Sequence, residues 1–426
     1  MPTSTLLQLV ARGRQDTLLT DNPQFTFFKQ VYRRYTPFAI ESIPIPLDGT
    51  PDFGRRISCV VPRKAELLSS LFLEVDLPVI PAGPAGEEYF WVNDIGHAMI
   101  EDVSIEIGEK EIDKHLGAWM QIWTELTTPA EKREALNQMI GHVNDYPPAA
   151  PTAQRLVIPL RFWFCNNIGL ALPLIALQAH PVRLIFHLRR FQDLWWSTDN
   201  LTPSPTPGGP CPQIPPVAPT RLQLYGDYVF LDTAERRRFA ASEHDYLITQ
   251  LQYTPPQSVP AYVSTANVDL NFNHACTEFI WVVQQNRIAQ GGHEWFNYSN
   301  RLASVGGDPG VPLLDPLDSA VIRLDGYERF EPRNAPYFRL VQPYQRHTVV
   351  PTAVTDFLYL YSFSLHPEDQ QPSGSINCSM LDSIILHLNL STDPSSVSYE
   401  RTVQVFAPNY NVLRIVGGLG GLAFIA

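Results

Sequence analysis

The chain has 426 residues, 44% of them apolar and only 17% charged, with a formal charge of −12 at neutral pH. That length exceeds one ordinary hydrophobic core and predicts two domains of roughly 200 residues, while the apolar content excludes a disordered chain. The acidic balance argues against a direct grip on nucleic acid, which needs clustered Lys and Arg to displace counterions from phosphates.

The 39 prolines predict many short strands with elaborate loops, because proline is poorly tolerated in helices and central strands. Residues 1–25 read as an arm. Leu6, Leu9 and Val10 line one side of a helical turn there and need a partner surface, which makes them candidate assembly contacts. No basic leader precedes Leu6, and the apolar stretch from Gly169 to Ala179 contains Pro173 and is too short for a bilayer. A soluble chain outside the usual secretory route is expected.

From Phe38 the pattern is of strands. Ile57, Cys59 and Val61 alternate, as do Leu71, Leu73, Val75 and Leu77. A helix is predicted after Thr128-Pro129, with Thr128 as cap, Glu131 in its first turn and Leu136, Met139 and Ile140 as its apolar stripe. Strand patterns resume at Leu156, Ile158, Leu160, Phe162 and Phe164, and again from Val182 to Leu188. Residues 201–220 hold eight prolines and read as a long extended loop. Leu222 to Leu231 follows as a strand, then a short helix capped around Asp232 and running to Ala241.

The second half repeats the order of the first. Val268, Leu270 and Phe272 alternate, then Phe279, Trp281 and Val283, as in the stretch from Ile57 to Leu77. Val103, Ile105 and Ile107 precede a turn at Gly108; Ala320, Ile322 and Leu324 precede one at Gly326 that reads one residue longer. Tyr359, Tyr361 and Phe363 alternate, and Ile384 to Leu390 matches the Val182 strand in position. The fold class is therefore all-β, two tandem eight-stranded jelly-roll sandwiches (a double jelly roll) with a few short helices in loops. The first covers 26–220 and the second 221–426.

Candidate chemistry is sparse. A jelly roll of the cupin kind needs a His-x-His pair and a glutamate for its metal, and the eleven histidines contain no such pair. His293-Glu294 lacks the second histidine of a zinc protease helix, and His366-Pro-Glu368 lacks the paired cysteines of a zinc deaminase. The glycines from Gly417 to Gly421 have no helix after them to aim at a phosphate, so they read as close packing at a terminal strand. Neither a catalytic constellation nor a cofactor or metal site is expected.

Cys59, Cys165, Cys211, Cys276 and Cys378 lie far apart and read as reduced, mostly buried thiols of a cytosol-made protein. Arg33-Arg34 and Arg236-Arg237-Arg238 lie near aromatics and read as structural or interface residues. Four Asn-x-Ser/Thr sites occur, at Asn200, Asn297, Asn377 and Asn389, with no conventional route to glycosylation. Trp195 and Trp196 offer a stacking surface for sugars, and with it the alternative of a carbohydrate-binding attachment protein.

The stretch from Gly13 to Phe38 resembles the N-terminal signature of the major capsid proteins of large nucleocytoplasmic DNA viruses. The resemblance continues through Glu101 to Thr127, Phe162 to Leu177, Asp227 to Gln252, Phe272 to Gln284, Tyr337 to Thr348, Pro367 to Leu390 and Asn409 to Phe424. Asp227-Tyr-Val-Phe-Leu-Asp-Thr233, Gln371-Pro-Ser-Gly374 and Asn409-Tyr-Asn-Val-Leu-Arg414 are its most specific motifs. The resemblance implies a structural protein of the virion capsid, assembled in the host cytoplasm. Homotrimers would form pseudo-hexagonal capsomers that tile an icosahedral shell, with minor capsid proteins and an internal membrane beneath. Outer loops or glycans would meet the host surface, and unconventional glycosylation in the family makes Asn200 and Asn297 the candidate acceptors. A minor double jelly-roll shell protein is the alternative within the same fold.

Overall fold

The computed structural model describes residues 3–82, 88–143, 150–197, 216–291, 293–302, 313–351, 357–393 and 397–425. The chain forms two compact units, Met1–Phe38 and Ala39–Ala426. The first extends past residue 25, where the sequence places the end of the arm. It carries two helices, α1 (Thr3–Val10) and α2 (Arg14–Thr20), and the Asp16 carboxylate accepts from the Gly13 amide at 2.8 Å at the start of α2. Residues 4–38 are all exposed.

The second unit is built on sixteen main strands among the described residues. The first eight are β1 (Phe38–Ile45), β2 (Arg56–Val60), β3 (Leu67–Leu77), β4 (Ile100–Ile107), β5 (Lys110–Leu116), β6 (Gln154–Pro159), β7 (Val182–Leu188) and β8 (Arg221–Leu231). The next eight are β9 (His244–Tyr253), β10 (Thr265–Asp269), β11 (Glu278–Gln285), β12 (Leu317–Leu324), β13 (Tyr327–Glu328), β14 (Leu358–Ser362), β15 (Ile384–Leu390) and β16 (Arg401–Val416).

The first set forms sheets β1-β8-β3-β6 and β2-β7-β4-β5, and the second forms β9-β16-β11-β14 and β10-β15-β12-β13. Strand for strand, the two halves have one topology. The alternation explains the layers: along β3, Leu71, Leu73, Val75 and Leu77 are buried, while Phe72, Glu74 and Asp76 are half-buried on the other face. Along β15, Ile384, Leu386, Leu388 and Leu390 repeat this pattern.

The two signature hairpins differ from the sequence reading in one respect. Ile107 pairs with Lys110 and Leu324 with Tyr327, so both loops have two residues. Both central residues have positive φ in each, Gly108 and Glu109 at 59° and 67°, Asp325 and Gly326 at 49° and 84°. These are turns whose twist suits a tight antiparallel hairpin. The glycine occupies the first turn position in one and the second in the other, and that offset mimics an insertion.

Other local readings change too. The strand expected through Phe164 ends at Pro159, and Trp163–Asn166 is a single helical turn that buries Trp163 and Phe164. Helix α4 (Ala130–Ile140) follows Pro129 as expected, but Pro129 rather than Thr128 stands at its cap, without a capping side chain. Leu136 and Ile140 are buried on it. Just before it lies a helix the sequence did not announce, α3 (Gly117–Thr127). Helix α5 (Thr233–Ala241) is capped by Asp232, whose carboxylate accepts from Thr233 N at 2.6 Å.

Each sandwich has its own core, and the two exchange side chains. Trp119, Ile122 and Leu126 of α3 belong to the core of the second half. Leu413 and Ile415 at the end of β16, with Ile248 of β9, belong to the core of the first. The long β9–β16 ladder, in register from His244 opposite Ile415 to Tyr253 opposite Phe406, runs from one core to the other.

Candidate assembly surface

Among the described residues no group of three or more His, Cys, Asp or Glu side chains is arranged to hold a metal ion. What the chain offers a partner is shape and apolar surface. Three features define them.

The first feature is the N-terminal unit. Leu6, Leu9 and Val10 of α1 are 48%, 62% and 78% exposed. Leu18, Leu19, Phe25, Phe27, Phe28, Val31, Tyr32 and Tyr35 continue the run of exposed apolar side chains. Full burial of a Leu, Val or Phe is worth roughly 1.5–3 kcal/mol. Large exposed apolar patches commonly mark interaction sites. Arg33 and Arg34 are exposed on the same unit.

The second feature is the locking of the two sandwiches into one body. Besides the shared cores, the Leu251 amide donates to Asp113 Oδ1 at 3.0 Å, and the Gln250 side chain donates to the Ile112 carbonyl. The C-terminal hairpin adds to this lock. Gly417 and Gly418, at φ of 59° and 86°, turn β16 back into a strand at Leu419–Leu422. A Cβ on Gly420 would lie 2.6 Å from Leu177 Cδ2, and the Gly420 carbonyl meets His180 Nδ1 at 3.0 Å. The glycine run therefore serves close packing of the second half's last strand on the first sandwich, as the sequence suggested. Beside it, Ile112, Leu251, Tyr253, Leu422, Phe424 and Ile425 help line an open cavity of about 260 Å³.

The third feature is a buried charge cluster that sequence reasoning missed. His347 donates from Nε2 to Glu278 Oε2 at 2.8 Å and from Nδ1 to Glu368 Oε1 at 2.9 Å. Both ring nitrogens donate, so the ring is an imidazolium. Burial alone would lower its pKa, but the charges of Glu278 and Glu368 and their hydrogen bonds prevail and raise it to about 9. Glu368 also accepts from the Thr348 amide at 2.7 Å. Its carboxyl is held below the usual range, because the bonds from His347 and Thr348 outweigh the opposing effect of burial. The cluster ties the start of β11 to the segments carrying His347 and Glu368. The two nitrogens face different carboxylates, so they do not converge on one ion. Glu368, part of the incomplete His-x-Glu motif that the sequence set aside, is a partner of His347.

The remaining candidates are placed as follows. Trp195 and Trp196 are each 3% exposed and pack against Tyr89 and Phe90, so no sugar can stack on them in this fold. This removes the observation behind a carbohydrate-binding reading. Asn297 is buried, and its amide nitrogen donates to Glu294 Oε2 at 2.5 Å and to the Arg301 carbonyl at 2.9 Å. A glycan on that nitrogen requires those bonds to open. Asn200, and Cys211 with most of the proline-rich loop, lie outside the described residues. Arg236 pairs with Glu66 at 3.2 Å, a structural contact.

Two family descriptions match the chain, one over each half. Residues 26–232 match the family described as the major capsid protein N-terminus, and residues 235–421 match the large eukaryotic DNA virus major capsid protein. The chain belongs to the major capsid proteins of large eukaryotic DNA viruses.

The curated major capsid protein of Pyramimonas orientalis virus is 37% identical, over 98% of both chains. That of Paramecium bursaria Chlorella virus 1 is 36% identical, over 98% of this chain and 99% of its own. Among solved structures, the PBCV-1 virus capsid aligns over 94% of this chain and 100% of its own, with a TM-score of 0.77 and 32% identity. The Faustovirus major capsid protein aligns over 97% of this chain and 96% of its own, with a TM-score of 0.74 at 12% identity, a likeness of fold. The fold is the double jelly roll of viral capsid proteins.

Proposed function

We propose that three copies of this capsid protein associate side by side into a pseudo-hexagonal capsomer, and that capsomers tile an icosahedral shell. The observation that carries this reading is the shared topology of two sandwiches locked into one rigid body. Three chains then present six nearly equivalent corners, and a trimer can fill a hexagonal lattice. The interlocked cores support it, because a fixed angle between sandwiches is what a repeating tile requires.

The exposed apolar arm, with Leu6, Leu9 and Val10, contacts neighbours, minor capsid proteins or an internal membrane at the underside of the shell. Assembly takes place in the host cytoplasm, and the outer loops face the host surface, with Asn200 as the remaining candidate for a glycan. The acidic balance fits a shell that does not hold the genome itself, and the protein acts by assembly rather than catalysis. Light scattering of the purified protein tests this. The expected mass is three times the 48.0 kDa of the chain, and a persistent monomer at micromolar concentration would overturn it.

A further inference from the structure

We propose that Cys276 and Cys378 are a paired-thiol site that closes to a disulfide when the folded protein meets a small-molecule disulfide of the glutathione class. Both are free thiols in buried positions, 0% and 3% exposed. They are distant in sequence, and strand pairing brings them together. Cys276 lies opposite Ile376 and Ala275 opposite Asn377, while the Cys378 amide donates to the His274 carbonyl at 2.8 Å. Cys378 is therefore two residues beyond the partner of Cys276, at the start of a short helical turn, Cys378–Met380. Both side chains belong to one buried cluster, where Cys276 Sγ donates to the Asn273 carbonyl at 3.5 Å and Cys378 Sγ to the Ile376 carbonyl at 3.9 Å. Thiols at diagonal positions on neighbouring strands reach bonding geometry once the edge segment shifts toward its neighbour.

The other described cysteines lack this arrangement. Cys59 lies in β2 and Cys165 in the turn after β6, and burial pushes each thiol up to about 12. In the pair, the interaction of each thiol with the other raises Cys276 and lowers Cys378. Cys378, between exposed Asn377 and Ser379 at the sheet edge, is the attacking group. Its thiolate displaces one glutathione thiolate from the small disulfide and forms a mixed disulfide. Cys276 then gives up its proton, attacks Cys378 Sγ and expels the second glutathione thiolate. Two protein thiols are oxidised, one small disulfide is reduced to two thiols, and the two protons leave with them.

Access comes from the edge of the sheet. Ile376–Asn377 is a strand of two residues, flanked by exposed Asn377, Ser379 and Met380, and so short a ladder opens at low cost. The central side is firm, because Ala275 and Cys276 also pair with Tyr410 and Asn409 of β16. The bond would staple the edge segment to the Ala275–Cys276 strand beside β16 and close a loop of about a hundred residues, which restricts the unfolded chain. A reducing cytosol would leave it open and an oxidising medium would close it.

The test is made on full-length folded protein incubated with oxidised glutathione, then unfolded in N-ethylmaleimide and digested without reduction for mass spectrometry. The expected result is a linked pair of peptides carrying Cys276 and Cys378, two hydrogens lighter than their sum and separated by reductant, with Cys59 and Cys165 alkylated. In Cys276→Ser, glutathione should remain on Cys378. Maleimide on both Cys276 and Cys378 of the oxidised wild type would overturn the proposal. So would a mixed disulfide that persists at Cys378, or a link from either residue to Cys211. The wild-type peptide map decides the matter even if the variant fails to fold.

Discussion

Replacing His347 with glutamine should change how stability depends on pH. In the native protein the ring is fully buried between Glu278 and Glu368, and its pKa rises from 6.5 to about 9. A group whose pKa rises on folding contributes all its stability below the unfolded value and loses it as pH climbs through the folded one. At about 1.4 kcal/mol per pH unit, the contribution is about 3 kcal/mol, fully present below pH 6.5 and lost by about pH 9.

His347→Gln keeps a donor but no charge, and leaves two carboxylates without their cation, a loss of about 3–5 kcal/mol near pH 6. Urea denaturation of both proteins between about pH 6 and pH 9.5 measures the gap. The gap should shrink by about 3 kcal/mol across that window. Background titration of other histidines cancels in the difference. A gap that stays constant would refute the imidazolium and the argument built on it.

Three further outcomes are expected. Trp119→Ala should cost about 3–5 kcal/mol in denaturant titration, and the loss should appear in probes of both halves, because Trp119 extends from α3 into the second core. Gly374→Ala should cost about 2 kcal/mol or more by the same measurement, since its φ is +138° and a Cβ would stand 2.6 Å from the Phe363 carbonyl oxygen. Removal of residues 1–37 should leave the thermal midpoint nearly unchanged, because residues 4–38 are all exposed, while abolishing higher assembly in light scattering.

Much of the fold was legible because alternation is a local signal. β2, β3 and β15 carry one buried face, and their period-two pattern marks it in sequence. β16 was hidden, although it is the longest strand, because Pro408 breaks the expected pattern and residues 405–409 are buried in succession. The strand crosses between two cores, so it does not keep a simple inside and outside. Helix α3 was hidden for a related reason. Gln121, Thr124 and Glu125 are buried on it beside Trp119, Met120, Ile122 and Leu126, and a helix buried on polar and apolar sides alike has no clean stripe to recognise.

The His347 cluster joins residues from three separate stretches, and no local spacing announces it. The tryptophans at 195 and 196 misled in the opposite direction, since exposure cannot be read from residue type. The exposure of Leu6, Leu9 and Val10 was legible because a short helix with few apolar residues and no strand pattern after it has little to bury them against.

The claim at the centre is that duplication makes a six-cornered tile from three chains. Images of the purified capsomer, averaged without imposed symmetry, test it most directly. Three chains giving a hexagonal outline with threefold symmetry are predicted. A ring of six chains, or a dimer, would contradict it.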